Sequence, residues 1–424
     1  MKRLRAWVGL VMLAFGVAAF VAASARWQGL FDLRVYHGAV RSWLHGGDLY
    51  AYRQPAPTRA FGFTYPPFAA LVMVPLAAAA LPVAAVLLAV ASLSGTVALL
   101  WRRLHRPLPV LAGVVLLFAT EPWRDTLSLG QINLVLLAMV GVDLLFLLDR
   151  RPAAGVLIGI AAGIKLVPAL FVVYLVLTRR YRAALVAGGT ALVTVCLGWL
   201  VAPGASRAYW TDLLWQTDRV GDIVVVGNQS MSGALHRLHL TAAWPALVAV
   251  VLAVWAFRVR KAGALPDHWA GLALTGVAMC LVSPISWVHH LVWQLPAVLI
   301  LLDSGATGWR RHWFRLLAVG VYAMMATKVV WLFEDPDTVG YQVGSNIHAI
   351  TGLVLLTAVP IRPARPGSGP ERRYRRRLRI ARDPYRGDRE GSDHVRTADR
   401  LGSTGSDRGA HRPPRQQRAS THPE

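Results

Sequence analysis

The sequence predicts an all-α polytopic membrane protein, on three observations. Of its 424 residues, 55% are hydrophobic and only 16% charged, against about a quarter charged in an ordinary soluble domain. The mean hydropathy is +0.44. Apolar runs long enough for membrane helices recur along residues 1–361, separated by short clusters of Arg and Lys.

The first apolar run covers residues 6–24. It is followed by a small-residue triplet at 23–25 that imitates a cleavage site, but everything downstream is also apolar, so we expect an uncleaved first span. Next comes FDLRVYHGAVRSWLHGG, residues 31–47. From Leu33 on, Leu33, Tyr36, Val40, Trp43 and Leu44 fall on one helical face and Arg34, His37, Arg41 and His45 on the other, with Gly46 and Gly47 as the stop. This describes an interfacial helix in the first external loop. Asp32 stands at its start, where the plain reading is an N-cap that satisfies free N–H groups.

Further runs lie near 65–80, 82–101, 109–121, 131–148, 153–178, 183–202, 242–257, 269–283, 286–302, 316–333 and 347–361. Basic clusters at 2–5, 102–106, 150–151, 179–182, 258–261 and 310–315 mark the cytoplasmic side. An even number of crossings must then separate Arg151 from Arg179, so the run broken by GIKLVP reads as two short helices meeting at Lys165 near the outer surface. By the same parity, 65–80 dips into the outer leaflet and 82–101 spans. The result is about 12 transmembrane helices with both termini cytoplasmic and external loops at 25–64, 121–130, 203–241 and 334–346. The arginines of the first external loop (26, 34, 41, 53 and 59) do not overturn this, because long loops escape the charge rule.

The net charge of +23 suggests nucleic acid only until its placement is read. Residues 362–424 carry 17 Arg against 8 acidic residues, a net +9, and the remaining +14 lies largely in short loops that set orientation. We therefore divide the chain into a membrane domain, 1–361, and an Arg-rich cytoplasmic tail, 362–424, that lacks the aliphatic residues to build a core and is expected to be disordered. The basic cluster at 371–379 fits an anionic lipid surface, and no nucleic-acid partner is expected. The two cysteines, Cys196 and Cys280, lie in apolar runs and suit neither a disulfide framework nor a metal site.

Polar residues gather at a few points that this topology places on one side of the membrane: Asp32 to Tyr36, FTYPP at 63–67, EPWRDTLSLGQIN at 121–133, Lys165, GNQS at 227–230 and SPISWVHH at 283–290. Such convergence is the first sign of a site. Lys165 either snorkels to head groups or meets an anionic phosphate. His289 and His290 either satisfy carbonyls at a helix break or contact a ligand, and no second histidine at metal-ligand spacing accompanies them. Gln131 and Asn133 are interhelical hydrogen-bond formers or ligand contacts. The Tyr65 turn starts a helix and also builds an aromatic wall near Asp32, and Arg124 with Asp125 suits a surface pair.

In order, DLxVY (32–36), GxDxY (46–50), YPP (65–67), PL (75–76), GQIN (130–133), GIKLxP (163–168), GNQS (227–230) and SPISWxHH (283–290) resemble glycosyltransferase family 87 over about residues 25–300. That family includes polyprenyl-phosphate-mannose-dependent alpha-mannosyltransferases of mycobacteria and other actinobacteria. The resemblance implies a GT-C-type fold in the cell membrane with the active site at the extracytoplasmic face. It places the catalytic base on Asp32. Inverting transfer would move a sugar, in the family's manner mannose, from a polyprenyl-phosphate donor to a cell-envelope glycolipid or lipoglycan. Lys165, Arg124, His289 and His290 would hold the donor phosphate, and Tyr36, Tyr65, Glu121, Gln131, Asn133, Asn228, Gln229 and Trp287 would contact substrate. No D-x-D motif lies near Glu121, so no metal or other cofactor is expected. The competing reading is a polyprenyl-lipid transporter or flippase, which should show repeat symmetry and charges deep in several spans; here the polar residues keep to one face.

Overall fold

The computed structural model describes residues 29–55 and 61–363, with scattered positions of a helical segment between 8 and 23. The expectations for the start of the first span, for the 23–25 triplet as a cleavage site and for the tail from 364 onward lie outside the described residues.

The described residues are helical, with no β-strand among them and one isolated bridge between Asn228 and Trp287. In order come α1 (Phe31–Leu44), α2 (Pro67–Ala78), α3 (Leu81–Leu104), α4 (Pro107–Ala119), α5 (Glu121–Ser128) and α6 (Asn133–Val142), which runs on as a π-turn to Leu147. After these stand α7 (Val156–Ile164), α8 (Leu170–Leu177), α9 (Tyr181–Val201), α10 (Pro203–Thr211), α11 (Met231–Arg237) and α12 (Trp244–Ala264). The last elements are α13 (His268–Val282), a 3₁₀ turn (Val288–Gln294), α14 (Leu295–Leu302), α15 (Gly308–Ala326), α16 (Tyr341–Gly344) and α17 (Ile347–Ala358). Prolines stand in the first turns of α2, α3, α4, α5, α12 and α14, where their missing N–H is no loss.

Among the described residues, α3, α9 and the helix ending at Ala264 are long and apolar enough to cross a bilayer, while six other apolar helices have 10–17 residues. The pair α5 and Asn133–Leu147 would make a fourth span, bent by 113°. Most of the 121–130 connection, read from sequence as an external loop, is thus a short helix set at a sharp angle to the one that follows. The core lies around α13, whose residues from Ala270 to Leu281 are all buried.

α1 departs from expectation in one respect that matters. It begins at Phe31, with Leu30 at the N-cap in a left-handed conformation (φ 51°, ψ 46°) and no side-chain cap hydrogen bond. Asp32 therefore sits within the first turn and does not cap. The buried stripe is Leu33, Val35, Tyr36, Ala39 and Val40, whereas Leu44 is half exposed. The stripe turns toward α2 because this helix rests on protein: His37 Nε2 reaches the Ala79 carbonyl at 3.0 Å, and Gly38 lies against the Tyr52 ring.

Lys165 owes its position to a packing device. Gly155, Gly159 and Gly163 recur every fourth residue along α7, and a Cβ at any of them would overlap α9, at Ala183, Ala187 and Thr194 in turn. The two backbones meet closely, as small-residue spacing allows. The start of α7 is held by Asp143, whose carboxylate oxygens accept the N–H groups of Gly155 (2.7 Å) and Ile158 (3.0 Å). At its other end the chain turns extended at Lys165 (φ −142°, ψ 127°), so the helix breaks where the sequence placed the break.

This contact yields a stability prediction. Gly159→Val would drive a side chain into the Ala187 carbonyl, 2.5 Å from the Cβ position, and overpacking of this kind costs about 1–3 kcal/mol or more. Gly189→Val on α9, where nothing lies within 4 Å, should be tolerated. Thermal unfolding in detergent is expected to fall clearly for the first variant and little for the second.

Candidate active site

The turn between α5 and α6 is where the site begins. Gly130 adopts φ +70°, and a Cβ there would stand 2.5 Å from that of Leu33. Only glycine allows both the left-handed backbone and the approach. The Leu33 N–H donates to the Leu129 carbonyl at 3.1 Å, fastening the first turn of α1 to this turn. The next residue, Gln131, is thereby set beside Asp32.

Gln131 works as a hub. Its Oε1 accepts the Tyr65 hydroxyl at 3.3 Å and the Asn133 amide at 3.5 Å, and its side chain hydrogen-bonds Asp32. With the oxygen so occupied, the amide N–H is the group that faces the carboxylate. The Tyr36 and Tyr65 hydroxyls lie 2.9 Å apart. Burial pushes the Asp32 carboxyl up from 3.8 to about 6, against the opposing effects of the Gln131 hydrogen bond and the Lys165 charge. A carboxylate so placed is poised as a proton acceptor near neutral pH.

Lys165 closes the constellation. Its Nζ donates to Asn133 Oδ1 at 3.0 Å, stands 3.0 Å from His290 Nε2 and lies 5.4 Å from the centre of the Tyr65 ring. His290 Nδ1 accepts the Trp287 N–H at 3.2 Å, which places the proton of a neutral ring on Nε2. That N–H then faces a charged Lys165, an arrangement that an anionic oxygen between them would relieve. His289 is buried beside it, the rings perpendicular with centroids 4.6 Å apart, and its Nε2 has no partner. The His289 carbonyl accepts Thr126 Oγ1 (3.2 Å) and the Asn133 amide (3.5 Å), fastening this segment to α5 and α6.

Of the residues singled out from sequence, Asp32, Tyr36, Tyr65, Gln131, Asn133, Lys165 and His290 form this one connected group, with His289 and Trp287 at its edge. Four others go elsewhere. Asn228 Oδ1 accepts the N–H groups of Ser230 (3.2 Å) and Ser286 (2.9 Å), while its Nδ2 donates to the Ile223 carbonyl (3.0 Å). Gln229 donates to the carbonyls of Val226 and Ser345 and accepts from the N–H groups of His348 (3.0 Å) and Ala349 (3.2 Å). Both amides are consumed by main chain, so GNQS clamps the segment that carries His290. Glu121 and Arg124 turn toward 326–331: Glu121 accepts Trp331 Nε1 and lies 3.7 Å from Lys328, and Arg124 donates to the Ala326 carbonyl at 3.5 Å.

Sequence reading missed Lys328, Trp331 and Arg237. Arg237 is buried with its donors spent on Asn346 Oδ1 and on the carbonyls of Val225 and Asn228. Its one visible signal was an arginine closing the short segment that follows GNQS. Among the described residues, no three His, Cys, Asp or Glu side chains gather as metal ligands would.

An apolar helical protein that collects a carboxylate, a lysine and imidazoles where its helices break has the makings of a membrane-embedded enzyme for an anionic substrate. The chain belongs to glycosyltransferase family 87, whose sequence profile matches residues 63–284. It is 33% identical over 373 residues to a polyprenol-phosphate-mannose-dependent alpha-(1-2)-phosphatidylinositol pentamannoside mannosyltransferase of Mycobacterium tuberculosis, covering 84% of this chain and 86% of the relative. A second M. tuberculosis relative, a phosphatidylinositol mannoside mannosyltransferase with the same donor in its name, is 35% identical over 345 residues (72% and 78%). A pentamannoside mannosyltransferase of Mycolicibacterium smegmatis is 33% identical over 344 residues (77% and 82%). No solved structure matches the chain.

The Asp32 environment predicts the acid limb of the activity. Were Asp32 the base, it would have to be ionised, and the rate would fall as pH drops through about 6. Gln131→Met removes the N–H that favours the carboxylate, and the limb should move to higher pH. The kcat/KM profile between pH 4.5 and 8.5 tests this; an unmoved limb would separate Gln131 from Asp32.

Proposed function

We propose that this glycosyltransferase moves mannose from a polyprenyl-phosphate donor to a phosphatidylinositol mannoside or related envelope glycolipid, at the extracytoplasmic face and with inversion. The observation that carries the reading is the connected run from Asp32 through Gln131 and Asn133 to Lys165 and His290. It offers a proton acceptor at one end and, at the other, the Lys165 ammonium and the His290 imidazole N–H. Transfer needs those two functions: one group takes the proton from the attacking hydroxyl, and another stabilises the departing phosphate. The donors and acceptors named for the relatives supply both chemical groups.

In the reaction, the acceptor hydroxyl attacks the anomeric carbon and its proton passes to an Asp32 carboxylate oxygen. The bond from that carbon to the phosphate oxygen breaks, and the electron pair leaves with the polyprenyl phosphate. Attack opposite the leaving group turns a beta-linked donor into an alpha product. Lys165 and His290 meet the phosphate both before and after the bond breaks. Because the leaving group is activated already and is met by the Lys165 ammonium and the His290 N–H, the proposed reaction requires no metal.

Asp32→Asn keeps the volume and removes the proton acceptor, so kcat is expected to fall by about 10²–10⁴-fold with the donor KM nearly unchanged. Lys165→Ala should raise the donor KM and lower kcat together. Both are measured in purified, correctly folded protein with labelled polyprenyl-phosphate mannose. An active Asp32→Asn enzyme would remove Asp32 as the base.

The proposed membrane arrangement has about 12 spans with both termini inside. Reporters fused after Arg151 and Arg182 should both be cytoplasmic, and one within residues 203–241 extracytoplasmic. Opposite sides for the first two would overturn the two-crossing account of the Lys165 segment.

A further inference from the structure

A cavity of about 20 Å³ opens beside the Lys165 break, between α6, α13 and the 3₁₀ turn. Its polar lining is Asn133, Lys165, Cys280, Ser283, Ser286 and His290, and Leu, Val, Pro, Met and Trp side chains complete the wall. A single water needs about 10–15 Å³ of such space, so the cavity holds one oxygen-sized group and no more.

The hydrogen bonds around it decide which kind of oxygen. Three of the polar side chains are already spent. Asn133 accepts a Lys165 N–H and donates its amide to the Gln131 oxygen and the His289 carbonyl. The Ser283 hydroxyl donates to the Ile285 carbonyl at 2.9 Å, and the Cys280 thiol to the His290 carbonyl at 3.5 Å. Three donors remain in the lining: the other N–H groups of Lys165, the His290 Nε2–H and the Ser286 hydroxyl. Ser286 is 1% exposed, and its Oγ has no partner in hydrogen-bonding geometry. The Cys280 sulfur beside it is a weak acceptor. A water facing three donors would leave its own protons without acceptors, whereas an anionic oxygen accepts from all three.

The main chain of Ser286 is fixed on both sides. Its N–H donates to Asn228 Oδ1 at 2.9 Å, and its carbonyl accepts the Gln229 N–H at 2.7 Å. The GNQS segment thus holds this hydroxyl at the cavity without entering it.

We propose that the cavity seats one non-bridging oxygen of the donor phosphate and that Ser286 Oγ donates to it beside Lys165 and His290. This rests on the function proposed above and adds to it a neutral donor and a stereochemical rule. In the donor one bridging oxygen is bonded to the sugar and the other to the polyprenyl chain, so the two non-bridging oxygens are distinct. Only one of them enters the cavity.

The test uses polyprenyl-phosphorothioate mannose, in which sulfur replaces one or the other non-bridging oxygen, with the purified full-length protein. Sulfur is larger than oxygen and accepts hydrogen bonds weakly. The diastereomer that aims sulfur at the cavity should fall below the other by roughly 10–100-fold in kcat/KM, the scale of a hydrogen bond to a charged oxygen. Ser286→Ala removes the donor and makes room. It should lower kcat/KM for the all-oxygen donor by about tenfold or more and narrow the gap between diastereomers at least about threefold. Ser283→Ala, whose hydroxyl is spent on Ile285, should leave that gap as it stands. Equal rates for the two diastereomers with wild-type protein, or a gap that Ser286→Ala does not narrow, would overturn the assignment. The wild-type comparison needs no variant, so it decides the matter even where Ser286→Ala fails to fold. Wild-type protein that transfers nothing from the all-oxygen donor would overturn the donor class itself; transfer without preference between diastereomers overturns the cavity alone.

Discussion

The site hangs from the turn at Gly130. The contact between that glycine and Leu33 locks the first turn of α1 to the hinge between α5 and α6. Gln131 and Asn133, on either side of Ile132, can then face Asp32 and Lys165 in turn. A side chain at 130 would separate the two elements, and the carboxylate and the lysine would lose the amides that relate them. The interhelical contacts of α7 with α9 and the Asp143 anchor serve the same end from the other side, since they fix where the Lys165 break falls.

Asp32 and Lys165 attract each other without meeting in an ion pair. Two unit charges at 4 Å gain about 4 kcal/mol at the effective dielectric of a protein surface, and a direct bridge would hold the aspartate ionised but blocked. Spacing them with neutral amides keeps each available. The carboxylate stays weakly acidic enough to accept a proton, and the ammonium retains donors for an anion. The arrangement also explains why the same residues suit an enzyme better than a flippase. Transport alone asks for no carboxylate set to take the proton of an attacking hydroxyl, whereas transfer to a hydroxyl depends on one.

Much of this was legible in the sequence, and the parts that were not share a cause. Apolar runs gave most helix positions to within a few residues, because apolar length is written locally. The break at Lys165 and the gathering of Asp32, Tyr65, Gln131, Asn133 and His290 followed from ordered motifs and from loop charge. Asp32 as an N-cap failed, since the left-handed turn at Gly29 and Leu30 starts the helix earlier and the partner that claims the carboxylate is about a hundred residues away. Asn228, Gln229, Glu121 and Arg124 are polar residues of the right type whose partners are main chain or the 326–331 segment. Residue type tells which bonds a side chain can make, and only the fold tells which it spends. The glycine spacing along α7 was present in the sequence, but its meaning required the helix it packs against.

The positions of the helix breaks carry the last step. Irregular backbone at membrane depth is tolerated only where protein or a cavity satisfies it. In this chain the irregular stretches after Ser128, at Lys165 and after Val282 each deliver polar groups to the same constellation. The exposed N–H and carbonyl groups are met by Thr126, Asn133 and the GNQS clamp. Polar residues therefore enter an apolar protein without stranding the backbone groups at these breaks. Such a site can meet a hydrophilic acceptor from one direction and a lipid-linked donor from another. A soluble enzyme would have to bring the same donor out of the bilayer first.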